Sequence, residues 1–197
     1  MLILASKSRT RKTLLEQAGL AIETLPATID ERSIERETIA AGGDGRDVAR
    51  GLAESKALDI STANPGRVVI GADQTLSLGT ELFHKPETLE QAAEQLDRLR
   101  GKTHRLHAAA ALMRDGVVLW SGLQTAEMTM HDFSDAERDR VLHLEGEAVL
   151  ASVGAYRLEG PSARLFESVN GDYFAILGLP LLPLLSALRT IVPELLQ

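Results

Sequence analysis

A chain of 197 residues with 44% hydrophobic content can bury one substantial core, so residues 1–197 are expected to form a single domain. The absence of cysteine excludes disulfides, thiolate metal sites and a cysteine nucleophile, and is compatible with a reducing compartment. A net charge of −7 opposes broad attraction to nucleic acid or anionic lipid, so any phosphate-bearing partner must meet a local basic cluster.

The opening MLILASKSRTRK lacks the apolar region and cleavage site of a signal peptide, and a cytoplasmic location is expected. Residues 2–5 predict a short buried strand, and Ser6-Lys7-Ser8 then turns into an amphipathic helix with Leu14, Leu15 and Ala18 inward and Gly19 at its end. Residues 27–47 are polar and contain Gly42-Gly43, which predicts an exposed connection before a helix from about Asp47 to Ile60. Asn64-Pro65-Gly66 stops that helix. Val68-Val69-Ile70 starts a second buried strand leading into Gly71-Ala72-Asp73-Gln74, and Gly79 turns the chain to a partner strand ending near Phe83.

After the loop His84-Lys85-Pro86, Thr88 and Gln91 have capping-box spacing, and Leu89, Ala92, Ala93, Leu96 and Leu99 recur at helical intervals until Gly101. His104, Leu106, Ala108, Ala110 and Leu112 alternate along a strand, Asp115-Gly116 is a hairpin signal, and Val117 to Met130 runs back. Ser134 and Glu137 cap a helix through Leu144, after which Val149 to Leu158 and Leu165 to Val169 read as strands. Pro180, Pro183, Arg189, Pro193 and Glu194 interrupt the apolar run from Leu177 to Leu196, which predicts a partly buried helix and no membrane span. Hairpin strands with helices between them predict a mixed α/β sheet flanked by helices.

Two segments carry candidate chemistry. Arg9, Arg11 and Lys12 lie in the first turn of a helix, where cations oppose the backbone dipole by several tenths of a kcal/mol each. With the free amides of that turn and the hydroxyls of Ser6 and Ser8, Arg11 would make an anion site; an ordinary basic helix capped by Ser8 is an equal alternative. Asp73 ends an apolar stretch behind two small residues, where a carboxylate is partly desolvated and a ligand can approach. It reads as a general base, as the holder of a metal-bound water, or as a turn cap. Lys56 and Lys85 can each offer a point charge to phosphate, and Glu31 and Glu159 can hold Mg²⁺ through water or accept hydrogen bonds from a base. The five histidines lack zinc spacing, and no Walker loop, dinucleotide fingerprint or serine nucleophile elbow occurs.

Read together, the segments resemble the Maf family of nucleoside triphosphate pyrophosphatases from Leu2 to about Arg189. The matching pieces are Leu4-Ala5-Ser6-Lys7-Ser8-Arg9-Thr10-Arg11, Ile29-Asp30-Glu31, Ala53-Glu54-Ser55-Lys56-Ala57, Val69-Ile70-Gly71-Ala72-Asp73-Gln74, Lys85-Pro86, Gly154-Ala155-Tyr156, and Gly171-Asp172-Tyr173 with Gly178-Leu179-Pro180-Leu181. The resemblance implies an elongated α/β fold of two lobes with a central groove, inosine-triphosphatase-like and usually dimeric. It places the proton acceptor on Asp73, phosphate contacts on Ser8, Arg11, Lys56 and Lys85, and a metal-linked acid on Glu31. A divalent cation, Mg²⁺ or Mn²⁺, is implied, with Asp73 sharing it.

Base selection in the family is associated with the positions of Thr10, Gln74 and Glu159. The branch that resembles dTTP and UTP hydrolases has Arg, Thr and Gln there, and the branch that resembles 7-methyl-GTP hydrolases has Trp, Gln and Glu. Gln74 and Glu159 agree with the second branch, and Thr10 agrees with neither. The reading is therefore hydrolysis of a modified nucleoside triphosphate, 7-methyl-GTP-like, to the monophosphate and pyrophosphate, with Asp73 activating a water at the α-phosphorus. The alternatives are a dTTP/UTP pyrophosphatase and a non-catalytic nucleotide-binding regulator of septum formation.

Overall fold

The computed structural model describes residues 1–196. Strand β1 (Leu2–Leu4) leads through helix α1 (Arg9–Gln17) to β2 (Ile22–Thr24), with which it pairs in parallel at Leu2↔Ile22. Helices α2 (Glu31–Ala40) and α3 (Gly45–Ala63) precede β3 (Val69–Leu78), which pairs in parallel with the other side of β1 at Ile3↔Val69 and Leu4↔Ile70. Next come β4 (Glu81–Phe83), α4 (Leu89–Leu99), β5 (Thr103–Arg114), β6 (Val117–Met130) and α5 (Asp135–Glu145). The chain ends with β7 (Phe166–Asn170), the single-turn α6 (Tyr173–Ile176) and α7 (Leu181–Ile191). Among the described residues the strands form one mixed sheet of seven in the order β2-β1-β3-β5-β6-β7, with β4 paired to β3. Here the expected mixed α/β sheet flanked by helices is observed.

The chain divides into two compact units. The first comprises Met1–Gln74, His107–Gln124 and the chain from Asp172; the second comprises Thr75–Leu106 and Thr125–Gly171. In the first unit the strands separate their side chains between two faces with a period of two. Leu2, Leu4, Ile70, Ala72 and Leu112 pack with Leu15 of α1 and Leu184 and Leu188 of α7, whereas Ile3, Val69 and Ala111 pack with Ala57 of α3. Because both faces are covered, these strands read as near-continuous apolar runs, and each buried Leu or Ile contributes about 1.5–3 kcal/mol. The second unit buries Leu96 and Leu99 of α4, Met128 and Met130 of β6, and Leu165. It also holds His104 hydrogen-bonded to the Tyr156 hydroxyl at 2.7 Å, with Phe166 edge-on to Tyr156.

Three local expectations are corrected. The connection expected over residues 27–47 contains α2, capped by Asp30, whose carboxylate accepts from the Ser33 amide at 3.0 Å. This helix has no buried residue, so it leaves no apolar stripe in the sequence. Ala18, expected inward, is the exposed C-cap of α1. The strand expected from Val149 to Leu158 is absent, because Gly146–Ala151 forms a 3₁₀ turn and the chain then wraps around Glu145. The buried Glu145 carboxylate accepts from the Ser162 amide at 2.9 Å and hydroxyl at 2.7 Å, and Ala155 has a φ of 58°. Apolar alternation cannot show such a polar anchor. Among the described residues no helix is long and apolar enough to cross a membrane.

Candidate active site

The start of α1 is an amide-rich end. Ser8 is its N-cap, and its hydroxyl accepts from the Arg11 amide at 3.3 Å while its carbonyl accepts from Lys12 at 3.2 Å. The amides of Arg9 and Thr10 precede the first donors that the helix uses, and no acidic side chain stands in the turn. Lys12 points outward to Glu16 at 3.6 Å. Arg11 turns inward.

On β3, alternation sends Gly71 and Asp73 to the α3 face and Ala72 and Gln74 to the other. A Cβ at Gly71 would lie 2.0 Å from the Ala53 carbonyl oxygen and 2.7 Å from the Ala57 amide nitrogen. Glycine thus lets α3 sit directly on the strand, and the turn containing Lys56 meets Asp73. Lys56 Nζ donates to Asp73 Oδ1 at 2.5 Å, with both side chains only 11% exposed. The same ammonium lies 2.8 Å from Glu31 Oε1, a 54% exposed carboxylate on the first residue of α2. A charge so far from water persists only when paired, which is why the cation and the carboxylates occur together.

Arg11 occupies the opposite face of β3. Its Nε donates to the Gly178 carbonyl at 2.8 Å; its Nη1 donates to the Ala72 carbonyl at 2.8 Å and to Ser6 Oγ at 3.2 Å. Burial pulls the Arg11 guanidinium below its usual pKa, and the charges of Asp73 and Glu31 oppose that pull. Gln74 Nε2 donates to the carbonyls of Ala175 at 2.9 Å and Ile176 at 3.0 Å.

Ser8, Thr10, Arg11, Glu31, Lys56, Asp73 and Gln74 all belong to the first unit, with Glu31, Lys56 and Asp73 in direct contact. Thr10 is half-buried on the first turn of α1. Lys85 and Glu159 belong to the second unit. Lys85 is exposed after β4; the Glu159 carboxylate lies 3.3 Å from Arg157 Nε, and Arg157 Nη1 lies 3.4 Å from Glu145.

Sequence reasoning missed that Lys56 is bound by two carboxylates, although a signal exists: it shares the buried face of α3 with Leu52, Ala53 and Ala57. It also missed the carbonyls of Ala72, Ala175, Ile176 and Gly178, which carry no signal because every residue has one. Among the described residues no cluster of three or more His, Cys, Asp or Glu forms an all-protein metal cage. Glu31 and Asp73 nevertheless converge on one cation, the Lys56 ammonium. Two hard carboxylates suit Mg²⁺ or Mn²⁺, which fill their remaining positions with phosphate oxygens and water.

Residues 1–191 match the model of the Maf family, described as Maf-like protein, and the chain belongs to that family. It is 52% identical to a 7-methyl-GTP pyrophosphatase of Brucella abortus biovar 1 (strain 9-941) over 188 residues, covering 95% of this chain and 94% of that protein. It is 51% identical over 190 residues to a 7-methyl-GTP pyrophosphatase of Mesorhizobium japonicum, covering 96% of each. A nucleoside triphosphate pyrophosphatase of Rhodopseudomonas palustris (strain HaA2) is 47% identical over 190 residues, 96% of this chain and 93% of that one. Among solved structures, a HAM1 protein from Coxiella burnetii aligns with 67% of this chain and 73% of its own, with a TM-score of 0.43 and 15% identity.

Proposed function

We propose that this chain is a nucleoside triphosphate pyrophosphatase that prefers a modified purine nucleotide of the 7-methyl-GTP kind. Family membership over residues 1–191 and relatives of about half identity named for this reaction support the reaction class. Gln74 and Glu159, which match the 7-methyl-GTP branch, support the base. The observation that carries the chemical reading is the buried Asp73 carboxylate held by Lys56, with Glu31 on the same ammonium.

In this proposal the α1 amides, the Ser8 hydroxyl and the outer Arg11 amino group receive the phosphates, and the family pattern adds Lys85. Asp73 takes a proton from a water whose oxygen attacks the α-phosphorus; the bond from that phosphorus to the bridging oxygen breaks and pyrophosphate leaves. Charge grows on the phosphate oxygens in the transition state, where Lys56 and Arg11 stabilise it electrostatically. A divalent cation held by Glu31 and Asp73 would supply further charge neutralisation. The family pattern assigns base selection to Thr10, Gln74 and Glu159.

The test is a panel of 7-methyl-GTP, dTTP, UTP and CTP incubated with purified protein and Mg²⁺ or Mn²⁺. Pyrophosphate and the monophosphate are expected, fastest from 7-methyl-GTP. No pyrophosphate from any nucleotide with metal present would overturn the reaction, and faster release from dTTP or UTP would overturn the base.

A further inference from the structure

On the edge that carries β1 and β4, strand β3 has an unpaired stretch beside the residue proposed as the base. There β1 pairs with it only at Val69 and Ile70, and β4 resumes the pairing only at Leu76. The Ala5 amide donates to the Ile70 carbonyl at 2.8 Å, and two residues on, the Ala72 carbonyl points to the same edge, where the chain has already left β1 for α1. Among the described residues no strand pairs with that edge at Ala72. Arg11 donates to that carbonyl through Nη1 at 2.8 Å, while its Nε holds the Gly178 carbonyl and Nη1 also reaches Ser6 Oγ.

Gln74, on the other side of Asp73, repeats the device. Both hydrogens of its Nε2 go to the carbonyls of Ala175 and Ile176, the residues just before Gly178. The two neighbours of Asp73 are therefore fastened to one turn, residues 175–178, from the face opposite to Lys56.

We propose that Arg11 and Gln74 are positioning residues: they pin the 175–178 turn to the open edge of β3 on either side of Asp73 and so fix the orientation of Asp73. The proposal rests on the reading of Asp73 as the base. It makes Arg11, three of whose five donors are already committed, chiefly a clamp, with only Nη2 left for the phosphates. It also gives Gln74 an indirect part in base selection, since its amide has no donor left for a nucleobase.

Arg11→Lys separates the two roles. Lysine is a competent point-charge ligand for phosphate, but it cannot span three acceptors on three segments as the planar fork does. A clamp predicts that kcat falls roughly 10- to 100-fold while KM changes by less than about threefold, because a misplaced base slows chemistry without removing binding charge. It further predicts faster hydrogen exchange at the amides of Leu177, Gly178 and Leu179, which donate to the carbonyls of Tyr173, Ala175 and Phe174 and so hold this turn to the residues before it. Gln74→Glu, which keeps the shape and removes both donors, should raise exchange at the same amides.

Wild-type kcat in Arg11→Lys, or a tenfold rise in KM with kcat intact, would return Arg11 to phosphate binding and overturn the clamp. Unchanged exchange at those three amides in both variants would overturn it as well. If the wild-type protein released no pyrophosphate from any nucleotide, the catalytic reading would fall by itself, and the exchange rates would still decide whether the turn is pinned.

Discussion

Two clusters of charge, one in each unit, share hydrogen-bond distances and differ in surroundings. In the first, Lys56 lies 2.5 Å from Asp73 and 2.8 Å from Glu31, and the Lys56 and Asp73 side chains are 11% exposed. In the second, Arg100 holds Asp135 at 2.6 Å and Arg138 holds Asp97 at 2.5 Å, across the faces of α4 and α5, with Asp135 71% exposed. Water screens the second cluster, so each pair contributes about 0–1 kcal/mol. In the first, desolvation offsets much of the attraction, and the pair adds little net stability as long as it is intact. Distance alone ranks the two clusters together; environment separates them. The exposed one joins two helices, and the buried one is costly to break.

The largest expected effect comes from removing one buried partner. Lys56→Met leaves the Asp73 carboxylate buried without its cation and should cost about 3–5 kcal/mol, read as the shift in a urea unfolding midpoint. Adding Asp73→Leu should restore most of that stability, since an apolar pair of similar volume replaces a buried ion pair at little cost. A double variant as unstable as Lys56→Met would show that the ion pair itself holds the fold, and the contrast between the clusters would disappear.

A second effect is tied to pH in the second unit. Burial lowers the His104 pKa to about 4, against an unfolded value of about 6.5. Between these values the unfolded chain binds the proton more readily, so stability is complete above pH about 6.5 and declines towards pH about 4. The full loss is at most about 3 kcal/mol. His104→Gln should flatten that part of a stability-against-pH curve; an unchanged slope would place the titration elsewhere.

The smallest effect is expected at the exposed cluster. Asp97→Asn removes a carboxylate shared by Arg100 and Arg138 and should destabilise by less than about 1 kcal/mol, a melting shift of roughly 2–4 °C that shrinks in 1 M salt. Pyrophosphate release should not change. A shift as large as that of Lys56→Met would contradict the ranking.

Elements with an apolar period were legible in the sequence. The Thr88 cap and the Leu89–Leu99 spacing appear as α4, and Asp115-Gly116, with φ of 53° and 74°, closes the β5–β6 hairpin. α2 was not legible because it buries nothing, and the 149–158 segment misled because its path is set by Glu145. The candidate site divides the same way. Asp73, Lys56 and Glu31 could be named from residue type and family pattern, but the shared ammonium depends on α3 reaching β3 over Gly71, a tertiary contact. The acceptors of Arg11 lie 61 and 167 residues along the chain and are backbone carbonyls, invisible to any reading of side chains.

Asp73→Asn tests the central claim most directly, because it preserves the shape of the buried residue and removes the carboxylate. Assayed beside the wild-type protein with saturating 7-methyl-GTP and Mg²⁺, the variant should release pyrophosphate at least about 100-fold more slowly. Turnover close to wild type in a folded Asp73→Asn protein would contradict the account.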